Sequence, residues 1–165
     1  MTLEKLTCIP LFVGGYLDGE RKASAALLAA TWPSGAAVTW TANGYVAAAP
    51  NDFCGVAMRG STELSDQTGY VENAPQNTAA IPTNVPVAFG PNKFRMLGTL
   101  IAGATVYPFL QTPAGGVWAV GNKVYLTAAG KYDNAPVAGT DRAYGVVDAV
   151  IGPAAAATGL ELSLF

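Results

Sequence analysis

Apolar and polar positions in this chain alternate in short runs, and Gly, Pro or Asn breaks each run after a few residues. The clearest run closes the sequence, where Leu160, Leu162 and Leu164 alternate with Glu161, Ser163 and Phe165. A period of two puts the leucines on one face, so a half-buried strand is expected at 160–165. Further strands are expected at Val85–Phe89, Phe94–Leu97, Ala104–Leu110 and Ala143–Ile151. Asn43-Gly44 separates Val38-Thr39-Trp40 from Tyr45-Val46, which predicts a two-residue hairpin with positive φ at both turn positions. Gly121-Asn122 separates Val117–Val120 from Lys123–Leu126 and predicts a second hairpin. One stretch breaks the pattern. Ala23-Ser24-Ala25-Ala26-Leu27-Leu28-Ala29-Ala30 is rich in helix formers, with Asp18 upstream as a candidate cap and Trp32-Pro33-Ser34-Gly35 as a stop. It predicts one short helix, or else an Ala-rich strand in a barrel wall.

The strand pattern occurs twice. Residues 34–58 read as a Gly-Ala strand (Ser34–Trp40), a return strand (Gly44–Ala49) and a Gly-Val strand (Phe53–Met58). Residues 102–149 repeat that order in Ala102–Tyr107, Asn122–Ala129 and Ala143–Ala149. The expected fold class is mainly all-β, an antiparallel barrel or sandwich of short strands with at most one or two short helices. The expected organisation is an N-terminal arm with the helix at 1–33, a first β unit with a long polar connection at 34–96, and a second, barrel-like unit at 97–165. One merged domain is the alternative.

Two segments suit contact with another chain. In the arm, Leu3, Leu6 and Ile9 are spaced for docking on an apolar surface. Between Gly60 and Asn92 the chain turns polar and Pro-rich, yet it embeds Tyr70, Val71, Ile81 and Val85. A connection this long is usually functional or disordered. These seven residues are therefore the candidate subunit contacts.

Composition sharpens the picture. Of 165 residues, 51% are hydrophobic and only 12% charged, where about a quarter charged is usual. Few charges are left to keep an isolated monomer dispersed, which favours burial against other subunits, although a core of small residues also satisfies the numbers. The net charge is −2 and the basic residues are scattered, so no nucleic-acid partner is expected. Neither a bilayer-length apolar run nor a basic-then-apolar leader pattern is seen, so no membrane association is expected. The two cysteines, Cys8 and Cys54, specify no metal site, and a disulfide is conceivable without being demanded.

Candidate chemistry is sparse. The absence of histidine removes imidazole-based triads and His-dependent zinc sites. Carboxylates remain, and a two-carboxylate hydrolase needs only a pair. Asp18 and Glu20 read as part of a charged turn, and Asp148, inside Val146–Val150, is expected to face solvent or an interface. Asp133, Asn134 and Asp141 in the loop 130–142 could offer oxygens to calcium, but in no recognised spacing. Trp32, Trp40, Trp118, Tyr107 and Tyr125 could form a sugar platform, although aromatics in strands more often pack in cores. The expectation is a non-enzymatic protein with no catalytic residue, cofactor or metal.

Gly103-Ala104-Thr105-Val106-Tyr107, the return strand Lys123–Thr127, Tyr144–Ala149 and the closing Leu160–Leu164 together resemble the small β-barrel cement, or decoration, proteins of tailed-bacteriophage heads. The resemblance spans residues 97–165, with an echo at 34–58. It implies a virion structural protein, made in the host cytoplasm and added to the outer surface of the assembled capsid. The implied partners are the major capsid protein and further copies of the chain, commonly as a homotrimer. The alternative is a carbohydrate- or receptor-binding β module of a fibre or tail.

Overall fold

The computed structural model describes residues 7–19, 21–60 and 84–165. The first described strands are β1 (Cys8–Val13) and β2 (Tyr16–Asp18), followed by the helix α1 (Ala25–Ala29). Then come β3 (Ala37–Thr41), β4 (Gly44–Ala47), β5 (Cys54–Ala57), β6 (Val87–Phe89) and β7 (Asn92–Leu97). The chain continues through β8 (Thr99–Ile101), β9 (Ala104–Val106), β10 (Lys123–Leu126) and β11 (Tyr132–Asp133), and ends on β12 (Gly145–Ile151) and β13 (Gly159–Leu164). They form a six-stranded sheet in the order β1-β7-β13-β12-β10-β11, a five-stranded sheet in the order β2-β6-β5-β3-β4, and the small ribbon β8-β9. Neighbouring strands are antiparallel throughout. The protein is thus an all-β sandwich. Each sheet ends on distinct edge strands and neither closes into the barrel that was the other sequence-based expectation.

Period-two patterning explains the layers. Leu160, Leu162 and Leu164 of β13 point inward beside Phe94 and Met96 of β7, while Glu161 and Ser163 stay half-buried on the opposite face. Facing them are Ala37, Val56 and Ala88 of the five-stranded sheet, which complete one shared core. The alternate residues of those same strands, Val38, Ala57, Val87 and Phe89, point the other way. There they form a second cluster with Leu27 of α1, Trp32, Tyr45 and Val85. The five-stranded sheet is therefore covered on both faces, by its partner sheet and by the helix.

Local expectations are met unevenly. The Ala-rich stretch does form a helix, but Ser24 caps it, accepting from the Leu27 N–H at 3.1 Å. Asp18 lies on β2 and is committed elsewhere. The β3–β4 hairpin stands where expected, one residue out of register, because Thr41 pairs with Gly44 across Ala42-Asn43. Only Gly44 takes positive φ there (110°), and a Cβ at Gly44 would sit 2.6 Å from the Lys22 carbonyl oxygen. The second expected hairpin is absent. Val117–Val120 is irregular because the Trp118 indole is driven into the core, donating to the Leu110 carbonyl at 2.8 Å, and Asn122 caps the turn by accepting from the Ala119 N–H.

The two copies of the strand pattern are wired differently. In the first, β5 pairs with β3, whereas in the second, β12 pairs with β10 and β9 pairs only with β8. The likeness in sequence is one of strand grammar rather than of sheet topology.

Candidate docking surface

β1 and β2 are consecutive, and each is the edge strand of a different sheet. Gly14-Gly15 carries the chain from one sheet to the other, tied by the Gly14 N–H to the Pro91 carbonyl at 2.9 Å. A Cβ at Gly15 would fall 1.8 Å from the Phe89 carbonyl oxygen, so only glycine fits this corner. In β1 the register slips between Pro10 and Phe12, leaving Leu11 as an extra residue. Alternation is lost beyond that bulge, and Leu11, Phe12 and Val13 are all exposed, as are Tyr16 and Leu17 of β2. Five large apolar side chains within seven positions thus face solvent on these two edge strands. Pro10 and the bulge interrupt the β1 ladder, which blunts simple strand addition there. What this edge presents is side chains.

The apolar edge runs into a groove of about 380 Å³ lined by Tyr16, Arg21, Phe53, Phe89 and Gly90. Phe89 is its buried floor. The Phe53 ring stacks on Phe89 at 5.6 Å and 5°, and Tyr16 stacks at 6.5 Å and 26°. Phe53 is 70% exposed and Tyr16 62%, so both walls are open. Arg21 stands at one side, its guanidinium 4.8 Å from the centre of the Trp40 ring and its Nε 3.3 Å from Asp18 Oδ2. Asp18 is only 2% exposed and also accepts from the Tyr45 hydroxyl at 2.6 Å. Burial first, then the Asp18 carboxylate, push the Tyr45 phenol above its ordinary pKa. The proton therefore stays on Tyr45, and a buried carboxylate is held between a phenol and a guanidinium. Asp18 fixes how Arg21 is presented.

The contact residues expected from sequence fall in different places. Leu3, Leu6, Tyr70, Val71 and Ile81 lie outside the described residues. Ile9 is half-buried on β1, opposite Arg95 and just before the exposed run. Val85 is fully buried in the cluster under α1, so its side chain packs the core and offers no surface for contact. An apolar residue in a polar stretch looked like an external contact. Instead it packs beside Leu27, and its N–H donates to the Arg21 carbonyl at 3.1 Å.

Residues weighed for chemistry are committed to other work. Asp148, expected to face solvent or an interface, sits half-buried at a bulge in β12, accepting from the Ser163 hydroxyl and lying 3.2 Å from Lys93 Nζ. Asp133 is buried and accepts from the Ala114 and Asn134 N–H groups, while Asp141 accepts from Ala138 N–H and Asn51 Nδ2. Those oxygens tie loops together rather than converge, and no group of three potential metal ligands occurs among the described residues. Burial pushes the Cys54 thiol up to about 12, away from thiolate chemistry. Glu20 lies outside the described residues. Of the tryptophans, Trp32 and Trp118 are buried and only Trp40 reaches the surface, beside Arg21, while the exposed aromatics of the groove are Tyr16 and Phe53.

The strands behind the cement-protein resemblance are partly brought together. β10, β12 and β13 lie side by side, while β9 belongs to the separate ribbon. No protein-family model, no curated protein and no solved structure matches the chain.

Proposed function

We propose that this is a non-enzymatic structural protein of a virion, which decorates the outside of an assembled capsid and clamps neighbouring coat subunits. The single observation that supports this most is the run of exposed apolar side chains on β1 and β2, Leu11, Phe12, Val13, Tyr16 and Leu17, which shares Tyr16 with the aromatic groove. A surface this apolar, short of charge and carrying aromatics with one arginine, has the composition of an interface core. A rigid sandwich that binds the assembled shell and not free coat subunits adds its binding free energy to shell stability. As a homotrimer it would engage several coat subunits at once, making weak single contacts strong together. In this reading the partners are the major capsid protein and copies of the chain, and the location is the outer capsid surface.

The test is co-sedimentation with undecorated heads, together with the temperature at which those heads open. Wild type co-sediments and raises that temperature, and Phe12→Ser with Leu17→Ser does neither. If wild-type protein stays in the supernatant and the opening temperature is unchanged, the proposal is wrong.

A carbohydrate- or receptor-binding module is the second reading, favoured by the open walls of Tyr16 and Phe53. Glycan-array binding that is lost on Phe53→Ala or Trp40→Ala would support it, and a blank array would count against it.

A further inference from the structure

We infer that the groove between Tyr16, Phe53 and Phe89 is an anchor pocket for one apolar side chain of a partner protein that stands next to an aspartate or glutamate. This rests on the proposed docking role and adds the chemistry of what is recognised.

The lining decides between ligand classes. Three aromatic rings and a glycine supply contact area, and Arg21 is the one charged group among the lining residues. A sugar ring, with a hydroxyl on nearly every carbon, needs several hydrogen-bonding side chains around it. Such a lining leaves most of those hydroxyls unpaired. An isolated small carboxylate would use Arg21 but leave the adjoining edge from Leu11 to Leu17 uncovered. A protein segment uses both.

Arg21 is built for the acidic half of that partner. Asp18, nearly inaccessible to water, takes the Nε side of the guanidinium, whose central carbon lies 4.8 Å from the centre of the Trp40 ring. The side chain is still 46% exposed, so it is oriented without being covered. A positioned guanidinium recognises a carboxylate in a defined geometry, with less freedom lost on binding than for a mobile side chain. Phe53, stacked on a buried ring yet open on its outer side, offers a matching flat wall for an aromatic or aliphatic anchor.

The test is an NMR titration of isotope-labelled protein with short blocked peptides. The probe is acetyl-Gly-Phe-Glu-Gly-amide, compared with its Phe-Gln and Ala-Glu counterparts and with benzoate. The Phe-Glu peptide is expected to shift the ring signals of Tyr16, Phe53 and Phe89 and the Arg21 Nε–H signal in a saturable way. Phe-Gln should bind at least about threefold more weakly, the size of one partly exposed ion pair. Arg21→Gln should erase that difference, so that Phe-Glu and Phe-Gln bind the variant with equal affinity. No saturable shift, or equal affinity for Phe-Glu and Phe-Gln, overturns the inference. Benzoate binding more tightly than the peptide also overturns it, in favour of a small-carboxylate site. Head co-sedimentation by wild type, lost in the Phe12→Ser, Leu17→Ser variant, separates the two claims. If it is seen while the peptides fail, the anchor pocket is refuted and the docking role stands.

Discussion

Replacing Tyr45 with Phe isolates the contact on which the groove's geometry depends. The ring keeps its packing, 5.3 Å from Trp40 and 6.3 Å from Phe89, and only the hydroxyl is removed. That hydroxyl donates at 2.6 Å to a carboxylate that is 2% exposed. Water cannot readily replace it, so the loss is that of a hydrogen bond to a buried charge, about 1.5–3 kcal/mol. For a chain of this size, that corresponds to a fall in Tm of roughly 4–10 °C. Urea denaturation should show a lower midpoint with an unchanged slope, since the folded surface is preserved. The reasoning is specific to the charge on Asp18. In an Asp18→Asn background the same Tyr45→Phe change should therefore cost less than about 1 kcal/mol. A Tyr45→Phe protein within about 0.5 kcal/mol of wild type, or an equal cost in both backgrounds, would refute the argument.

Three further outcomes follow from the same geometry. Stability should hold level up to about pH 9 and fall above it: burial pushes Cys54 and Tyr144 up to about 12 and raises Tyr45 and Tyr132, so the native state keeps protons that the unfolded chain has already released. Each such group removes about 1.4 kcal/mol per pH unit between its unfolded and folded values, and Cys54→Ala should flatten the first part of the decline in pH-dependent urea titrations. Gly15→Ala forces a methyl against the Phe89 carbonyl and should cost at least about 2 kcal/mol in thermal or urea unfolding; a near-neutral effect would contradict the described corner. Ser24→Ala removes the cap of α1 and should cost about 1 kcal/mol by urea denaturation, whereas Ser24→Asp should retain most of that stability.

What could be read from the sequence was set by local patterning. The alternation of Leu160, Leu162 and Leu164 survives because β13 lies between β7 and β12 with one face on the core. The helix was readable from its alanines, but its cap was not, because Asp18 is drawn away by Arg21, three residues on, and by Tyr45, which approaches it only in the folded chain. Trp118 looked like a strand residue or a sugar platform, and only the tertiary structure shows its indole buried against Leu110. The groove was the least readable feature, since Tyr16, Phe53 and Phe89 meet from three elements. Nothing in Leu11-Phe12-Val13 marks it as exposed, because its exposure comes from an edge position and a bulge that periodicity cannot reveal. One signal was present. Gly14-Gly15 between Leu11-Phe12-Val13 and Tyr16-Leu17 marks a corner where the chain changes sheets.

The central claim is that the edge from Leu11 to Leu17 is covered by protein when the chain is at work. The most direct measurement is the solution mass of purified protein by light scattering coupled to size exclusion, for wild type and for the Phe12→Ser, Leu17→Ser variant. The account predicts a discrete oligomer, a trimer on the decoration reading, that the two substitutions convert to monomer while the far-UV spectrum is retained. A wild-type protein that stays monomeric at every concentration, elutes with the variant and also fails to co-sediment with undecorated heads would contradict it.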